Sequence, residues 1–156
     1  MKRETDADQA VVDKLEEIFL KYVDKRILVL GTTCAGKTTL VKSLPGCLDQ
    51  DEICWALLPK HIEEKLRKAP WTEDMIALWD KHVESATHIV DIEPGHPLFA
   101  GSVFSSDIIV YLNVCEEALR ERAKKRGIAY EVALFHNNRI KETLKATHLP
   151  VIVIDA

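Results

Sequence analysis

The chain has 156 residues, of which 47% are hydrophobic and 29% charged, and its formal net charge is −4. This length predicts one globular domain with a single core, and the composition excludes disordered, collagen-like and low-complexity chains. Residues 1–10 lack the apolar stretch of a signal peptide, and no apolar run approaches the roughly 20 residues that span a bilayer. We therefore expect a cytoplasmic protein that binds no membrane, and the mildly acidic charge argues against a nucleic-acid partner.

The four cysteines show no pattern of paired ligands. Cys34, Cys47, Cys54 and Cys115 form no CxxC pair and have no matching histidine cluster. This spacing favours reduced thiols over a disulfide framework or a structural zinc site.

The first third of the chain predicts a helix, a strand, a helix and a second strand. A helix is expected over residues 5–24, because apolar side chains recur there on one stripe. That stripe comprises Val11, Val12, Leu15, Ile18, Phe19 and Tyr22. The continuous apolar run 27–30, ending at Gly31, is typical of a strand buried on both faces. A short helix over 38–43 and a brief strand over 47–49 follow.

The rest of the chain alternates helical segments with apolar runs. Helices are predicted from Asp51, as N-cap, to about Lys68, from Thr72 to about Ser85, over 116–126, and over about 130–147, the last two divided by Gly127. Strands are predicted over 88–92, 108–114 and 151–154. Strands separated by helices indicate an α/β fold, here a three-layer α/β/α sandwich around a mainly parallel five-stranded sheet.

One segment carries a specific chemical signal. Residues 31–38 read Gly-Thr-Thr-Cys-Ala-Gly-Lys-Thr and match GxxxxGK[ST] at every fixed position, between a predicted strand and a predicted helix. Glycines at both ends let successive N–H groups turn toward an anionic oxygen, and the helix adds its positive end. We call residues 31–38 the phosphate loop. It indicates a fold of the P-loop NTPase type, in which Lys37 approaches the β- and γ-phosphates and the Thr38 hydroxyl enters a magnesium shell. The expected nucleotide contacts are Gly31, Thr32, Thr33, Cys34, Ala35, Gly36, Lys37, Thr38 and Thr39.

On these residues the chain resembles P-loop small-molecule kinases of the shikimate kinase and adenylate kinase group, in element order over residues 26–156. The segment Leu48-Asp49-Gln50-Asp51 is similar to the DxD at the end of the second strand in shikimate-kinase-like enzymes. Residues 111–126 are similar to the strand and the arginine-bearing lid helix of the group. The resemblance implies ATP and Mg²⁺ as cofactors. It also implies that Asp49 holds a magnesium water and that Asp51 orients or deprotonates the acceptor hydroxyl.

The lid helix carries a concentration of positive charge on an acidic protein. Residues 118–126 contain five basic side chains and one acid, Glu121. Arg122 and Arg126 lie four residues apart on one helix face, so both can stabilise a transferring phosphoryl group, and Arg122 can stack on adenine. The alternative is a solvated helix end whose cations complement the helix dipole. Arg139, on the next helix, is a weaker candidate.

The loop after the predicted strand 88–92 supplies further candidates. Asp91 competes with Asp49 as the carboxylate of the magnesium shell, and the sequence does not separate the two. Glu93 and His96 are candidates for acceptor contacts, although His96 is equally a turn histidine between two prolines.

We expect a single domain over residues 1–156. It comprises an N-terminal helix over 1–25, a helical acceptor-binding insert over 51–86 and a short lid over 116–131. The three tryptophans of the insert are expected mostly to pack in the core. The glycine-rich substrate loop of shikimate kinases and the DGFPR-like segment of adenylate kinases are both missing. Relatives begin an adenine-binding loop where this chain ends, so we expect base selectivity either to be weak or to be made elsewhere.

The sequence predicts an ATP-dependent phosphotransferase that moves the γ-phosphate to a small hydroxyl- or phosphate-bearing metabolite or nucleotide. Its catalytic residues would be Lys37, Asp51, Arg122 and Arg126, and its metal ligands Thr38 with Asp49 or Asp91. The first alternative is a regulatory NTPase that acts through a protein partner, which the sequence leaves open but does not indicate. The second is a module that binds nucleotide without turnover. No NKxD-type guanine motif is present.

Overall fold

The computed structural model describes residues 8–68 and 70–156. The strands are β1 (Ile27–Leu30), β2 (Leu48–Asp49), β3 (Leu98–Ala100), β4 (Ile108–Asn113) and β5 (Val151–Asp155). The helices are α1 (Gln9–Lys21), α2 (Lys37–Ser43), α3 (Gln50–Leu57), α4 (Lys60–Leu66), α5 (Glu73–Ile89), α6 (Glu116–Arg126) and α7 (Tyr130–Ala146). All neighbouring strands are parallel, in the order β2-β3-β1-β4-β5. The α/β fold with a parallel five-stranded sheet is confirmed.

The core lies on both faces of the sheet, as a parallel sheet requires. Successive residues of β1 point to opposite faces. Ile27 and Val29 pack with α1 and α2, whereas Leu28 and Leu30 pack with α3, α5 and α7. The sheet therefore forms the middle layer of the sandwich, and the ends of its strands remain free to carry loops.

Helix α1 confirms the predicted amphipathic helix within the described residues. The side chain of Asp8 caps it by accepting the N–H of Ala10 at 2.9 Å, and the helix ends at Lys21 rather than residue 24. Val11, Val12 and Leu15 are buried. Residues 5–7 of the predicted helix lie outside the described residues.

The predicted strand over residues 88–92 is wrong. Helix α5 continues through Ile89, and the third strand is Leu98–Ala100, which lies between β1 and β2. Helix α5 buries Val83 and Ala86 against the sheet, and its last residue, Ile89, is exposed, so the start of the apolar run belongs to the end of an amphipathic helix rather than to a buried strand. Residues 91–97 therefore precede β3 and lie at the amino end of the sheet.

The single helix predicted from Asp51 to about Lys68 is also wrong in its start and its continuity. The N-cap is Asp49, whose carboxylate accepts the Asp51 N–H at 3.0 Å, so Asp51 lies in the first turn of α3. Leu58 then adopts extended backbone before Pro59, and α4 begins at Lys60. A residue that precedes proline disfavours helical geometry, which accounts for the break.

From residue 108 onward, the helices and strands follow the prediction closely. Gly127 separates α6 from α7 with a left-handed φ of 68°. The helix predicted from Thr72 to about Ser85 is confirmed at its start, where the Thr72 hydroxyl caps α5, but it extends to Ile89. All four cysteines are free thiols. Within the described residues, none of the helices combines the length and apolarity needed to cross a membrane.

Candidate functional site

The phosphate loop leaves the carboxyl end of β1 and enters α2 through two residues with left-handed backbone. These are Cys34, at φ 67°, and Gly36, at φ 88°. Gly31 is needed for a different reason, since a Cβ there would lie 3.0 Å from the Cβ of Ala35. The Gly31 N–H donates to the Ala100 carbonyl at 3.0 Å, which ties the start of the loop to β3.

Lys37 folds back over the loop to which it belongs. Its Nζ donates to the carbonyl oxygens of Gly31 at 2.7 Å and Thr32 at 2.8 Å. Burial lowers the pKa of Lys37 to about 8, although the negative charges of Asp51 and Asp49 raise it. The loop thus holds a desolvated cation on two neutral carbonyls, an arrangement that an anion would stabilise.

Two side-chain contacts attach the phosphate loop to α7. The buried Thr32 hydroxyl donates to the Ala133 carbonyl at 2.9 Å. The Nδ1 atom of His136 accepts the Thr33 N–H at 3.0 Å, and its Nε2 lies 2.8 Å from the Gly101 carbonyl. Sequence reasoning missed His136, because nothing in the pattern of α7 sets it apart from an ordinary helix histidine.

Thr38 and Asp49 bring a hydroxyl and a carboxylate together beside the loop. The Thr38 Oγ1 donates to the Asp49 Oδ2 at 3.4 Å, and Asp49 is only 6% exposed. Hard oxygen donors of this kind suit Mg²⁺, which usually takes one or two protein ligands and completes its shell with water and phosphate. The residues therefore fit the metal implied by the loop. Within residues 8–68 and 70–156, no group of three or more His, Cys, Asp or Glu side chains forms a separate metal site.

The structure separates Asp91 from this pair. Asp91 follows α5 and precedes β3, and the register of β3 with β1 pairs Leu98 with Leu28. The residues before Leu98 therefore lie at the amino end of the sheet, opposite the phosphate loop. The expectation that Asp91 ends a strand beside the loop is wrong, and the position after β3 is occupied by Gly101 and Ser102.

Glu93 and His96 share the location of Asp91. Both precede β3 and are exposed, and the Nδ1 atom of His96 lies 3.0 Å from the Gly46 carbonyl. This contact makes His96 a turn histidine, the second of the two interpretations of that residue. Neither residue lies at the end of the sheet that carries the phosphate loop.

Asp51 lies in the first turn of α3, next to Asp49. Burial raises the pKa of Asp51, and the negative charge of Asp49 raises it further, against the opposing charge of Lys37. Its neighbour Gln50, which sequence reasoning also missed, is buried and connects it to β3. The Gln50 Oε1 accepts the N–H groups of Gly101 at 3.0 Å and Ser102 at 3.2 Å, and its Nε2 donates to Asp51 at 3.4 Å.

Two of the predicted arginines contact the phosphate loop. The Nη1 atom of Arg122 lies 3.5 Å from the Cys34 carbonyl and 3.3 Å from the Ala35 carbonyl. The Nη1 atom of Arg126 lies 3.9 Å from the Cys34 Sγ. Helix α6 therefore directs two cations toward the loop from one face, as their spacing predicted.

Two other arginines stack on aromatic rings instead. The guanidinium of Arg120 lies 4.4 Å from the ring centroid of Tyr130, and that of Arg139 lies 5.9 Å from the ring centroid of Phe135. Neither makes a described contact with the phosphate loop.

The three tryptophans of the insert pack against one another. The ring centroids of Trp55 and Trp79 are 5.0 Å apart, and Trp71 lies 6.0 Å from Trp79 and 6.4 Å from Trp55. Trp55 and Trp79 also contact the buried cluster of Leu58, Leu66 and Met75. This packing agrees with the expectation that most of them belong to the core.

No protein-family model matches the sequence, and no curated protein matches it. Among solved structures, the chain is similar to a deoxyadenosine kinase from M. mycoides with bound dATP. The two sequences are 18% identical, and the match covers 83% of this chain and 90% of that one with a TM-score of 0.44. Function is decided by the side chains of a site rather than by likeness of fold.

Proposed function

We propose that the protein is an ATP-dependent, magnesium-requiring phosphotransferase that acts on a small hydroxyl- or phosphate-bearing metabolite or nucleotide. One observation carries the proposal. At the carboxyl end of the sheet, Lys37 and Thr38 follow β1, while Asp49 and Asp51 follow β2, which lies on the other side of β3. Thr38 and Asp49 contact each other, and α6 directs Arg122 toward the same loop. These are the kinds of groups that phosphoryl transfer uses for positioning and charge stabilisation.

The phosphate loop would bind the nucleotide through its backbone and through Lys37. Its N–H groups and the amino end of α2 favour an anion. The Lys37 ammonium now lies on two carbonyl oxygens and would move onto the β- and γ-phosphates. The lowered pKa of Lys37 supports this role. Burial destabilises the charged form of the lysine, and a bound phosphate would stabilise it again.

Thr38 and Asp49 would hold Mg²⁺ with phosphate oxygens and water. When bound, the metal supplies positive charge that neutralises the phosphates. Asp49 also caps α3, so its orientation is set by the Asp51 N–H before any ligand binds.

Asp51 would accept the proton of an acceptor hydroxyl. The acceptor oxygen would form the new bond to the γ-phosphorus, the bond to the β–γ bridging oxygen would break, and ADP would leave. A raised pKa makes the Asp51 carboxylate a stronger base than an ordinary exposed aspartate. Its hydrogen bond from Gln50 orients the carboxylate.

Arg122 and Arg126 would stabilise the charge of the transferring phosphoryl group. Both side chains already contact the phosphate loop from α6. Preorganised guanidinium groups act where charge develops, and they need little reorganisation during the reaction.

The proposal is tested by measuring ADP release from ATP with a panel of sugars, alcohols, nucleosides and nucleoside monophosphates. We expect one acceptor class to stimulate ADP release well above basal hydrolysis, in a magnesium-dependent manner. The Lys37→Met variant, purified in parallel, measures any contaminating activity. Basal hydrolysis that no acceptor increases, but that a protein partner increases, would instead support a regulatory NTPase. Nucleotide binding without turnover would support a binding module.

A further inference from the structure

His136 joins the phosphate loop to the end of β3. Its imidazole lies between the Thr33 N–H and the Gly101 carbonyl, which belong to loops that leave different strands. The contact depends on glycine at position 101, because a Cβ there would lie 2.9 Å from the Cε1 atom of His136. Helix α7 thus contributes to the shape of the loop through a side chain outside the loop motif.

These two contacts select one protonation state of the ring. Nδ1 must lack a proton to accept the Thr33 N–H, and Nε2 must carry one to donate to the Gly101 carbonyl. This is the neutral Nε2–H tautomer. A proton added at Nδ1 would point the new Nδ1–H at the Thr33 N–H. Two donors cannot form a hydrogen bond, so the contact with Thr33 would break.

We propose that His136 is a positioning residue, that its neutral ring holds the phosphate loop in the shape that binds nucleotide, and that protonation of the ring releases Thr33 and weakens nucleotide binding in acid. This inference rests on the proposed function, because it concerns the loop to which ATP is assigned.

Charged groups from three elements face the ring: Lys37 from α2, Arg139 from α7 and Asp80 from α5. Burial lowers the pKa of His136, as do the two cations, whereas the Gly101 carbonyl and Asp80 raise it. The net direction is downward, so the ring is neutral at pH 7 and above. The loss of affinity then begins below the ordinary histidine pKa of about 6.5.

The test measures the ATP dissociation constant by calorimetry from pH 8.0 to pH 5.0 in wild type, His136→Gln and His96→Gln. A glutamine amide can accept from Thr33 and donate to Gly101 without titrating. The terminal phosphate of ATP also takes up a proton in this range, but it does so in all three proteins, and His96 lies at the far end of the sheet.

Relative to His136→Gln, we expect wild type to lose affinity by up to about tenfold for each pH unit below the His136 pKa. The His96→Gln variant should follow wild type. An equal acid loss in wild type and His136→Gln would overturn the inference, as would a wild-type affinity that rises in acid relative to the variant.

A second measurement uses wild type alone and so does not depend on the folding of a variant. The ¹⁵N shifts of the wild-type imidazole report which ring nitrogen carries the proton and the pH at which the ring titrates. We expect an Nε2–H tautomer at pH 7.5 and a midpoint that coincides with the loss of ATP affinity. An Nδ1–H tautomer, or midpoints that differ, would overturn the inference. Wild type that binds no ATP at any pH would defeat the proposed function and this inference with it. ATP binding without a His136-dependent acid loss would defeat the inference alone.

Discussion

The ammonium of Lys37 donates to the Gly31 carbonyl at 2.7 Å, across the loop in which both residues lie. With the bond to Thr32 at 2.8 Å, this contact gives the Lys37 ammonium two hydrogen bonds, both to neutral carbonyl oxygens. A polyphosphate that enters the loop would compete with these carbonyls for the same ammonium. The charged form of Lys37 is therefore destabilised by desolvation in the free protein, and a bound anion would stabilise it.

Replacing Lys37 by methionine should separate binding from stability. We expect Lys37→Met to lose the ATP-induced rise in Tm, while its free energy of unfolding without ligand stays the same or rises by up to about 2 kcal/mol, because no charge is desolvated. Lys42→Met, at an exposed position of α2, is the matched control and should change neither quantity. A variant less stable than wild type by more than about 2 kcal/mol would show instead that the lysine is mainly structural.

The same lysine predicts an alkaline loss of ATP affinity. Burial lowers the Lys37 pKa to about 8 in the free protein, and a bound polyphosphate would raise it. Affinity should therefore be highest between about pH 7 and pH 8 and fall as pH rises above 8, by up to about tenfold per unit until the pKa of the complex is reached. Calorimetry from pH 7 to 9.5 checks this. A dissociation constant that does not change over this range would contradict the prediction.

Substitutions of Asp49 should distinguish its charge from its role as a helix cap. Asparagine caps a helix about as well as aspartate, so Asp49→Asn should keep the stability to within about 0.5 kcal/mol. Its magnesium-dependent turnover should fall at least about tenfold, because a ligand oxygen loses its charge. Asp49→Ala should add a loss of about 1 kcal/mol from the missing cap. Asp91→Asn should affect neither quantity, and a matching loss of turnover in that variant would return Asp91 to the metal site.

Asp51→Asn should affect the acceptor step more than nucleotide binding. We expect acceptor-dependent kcat to fall by about 10²- to 10⁴-fold, the usual contribution of a general base. The ATP dissociation constant should change by less than about threefold, because the negative charge of Asp51 stabilises the Lys37 cation but also repels the nucleotide phosphates, and the two effects oppose each other. Glu52→Gln, at the next exposed position of α3, serves as control. Equal losses of kcat and ATP affinity would place Asp51 in the metal shell or in folding.

Arg122 and Arg120 offer a matched pair on α6. Arg122 contacts the Cys34 and Ala35 carbonyls, whereas Arg120 stacks on Tyr130. We expect Arg122→Gln to lower turnover by about 10- to 1,000-fold and Arg120→Gln to change it by less than about twofold, as steady-state kinetics would show. Similar losses in both variants would favour the alternative in which the basic helix end acts only through its overall charge.

Local signals predicted most of the fold and the centre of the site. The apolar run of β1, the glycines of the phosphate loop and the i, i+4 spacing of Arg122 and Arg126 are each visible in a few neighbouring residues. The misplaced strand over 88–92 has a local cause too, since an apolar helix end and a short buried strand have the same composition. That error also placed Asp91 at the wrong end of the sheet.

Contacts that join distant segments could not be predicted in this way. His136 lies 103 residues from Thr33 in the sequence. Gln50 accepts the N–H groups of Gly101 and Ser102, which lie 51 and 52 residues further along the chain. A single histidine or glutamine on a helix carries no periodicity that reveals such a partner. Gly101 directly follows β3, where a backbone approached by a side chain often needs the missing Cβ, but the sequence did not single out residues 98–100 as a strand.

The packing of Trp55, Trp71 and Trp79 determines which part of the molecule the intrinsic fluorescence reflects. These are the three tryptophans of the chain, and all lie within one cluster formed by α3, α5 and the segment before α5. Excitation of any one of them can pass to the others at centroid separations of 5.0 to 6.4 Å, so the emission describes a single place in the molecule. Quenching or a spectral shift of the tryptophan fluorescence when a compound is added therefore marks an event near α3 and α5. A compound confined to the phosphate loop would leave the tryptophan emission unchanged.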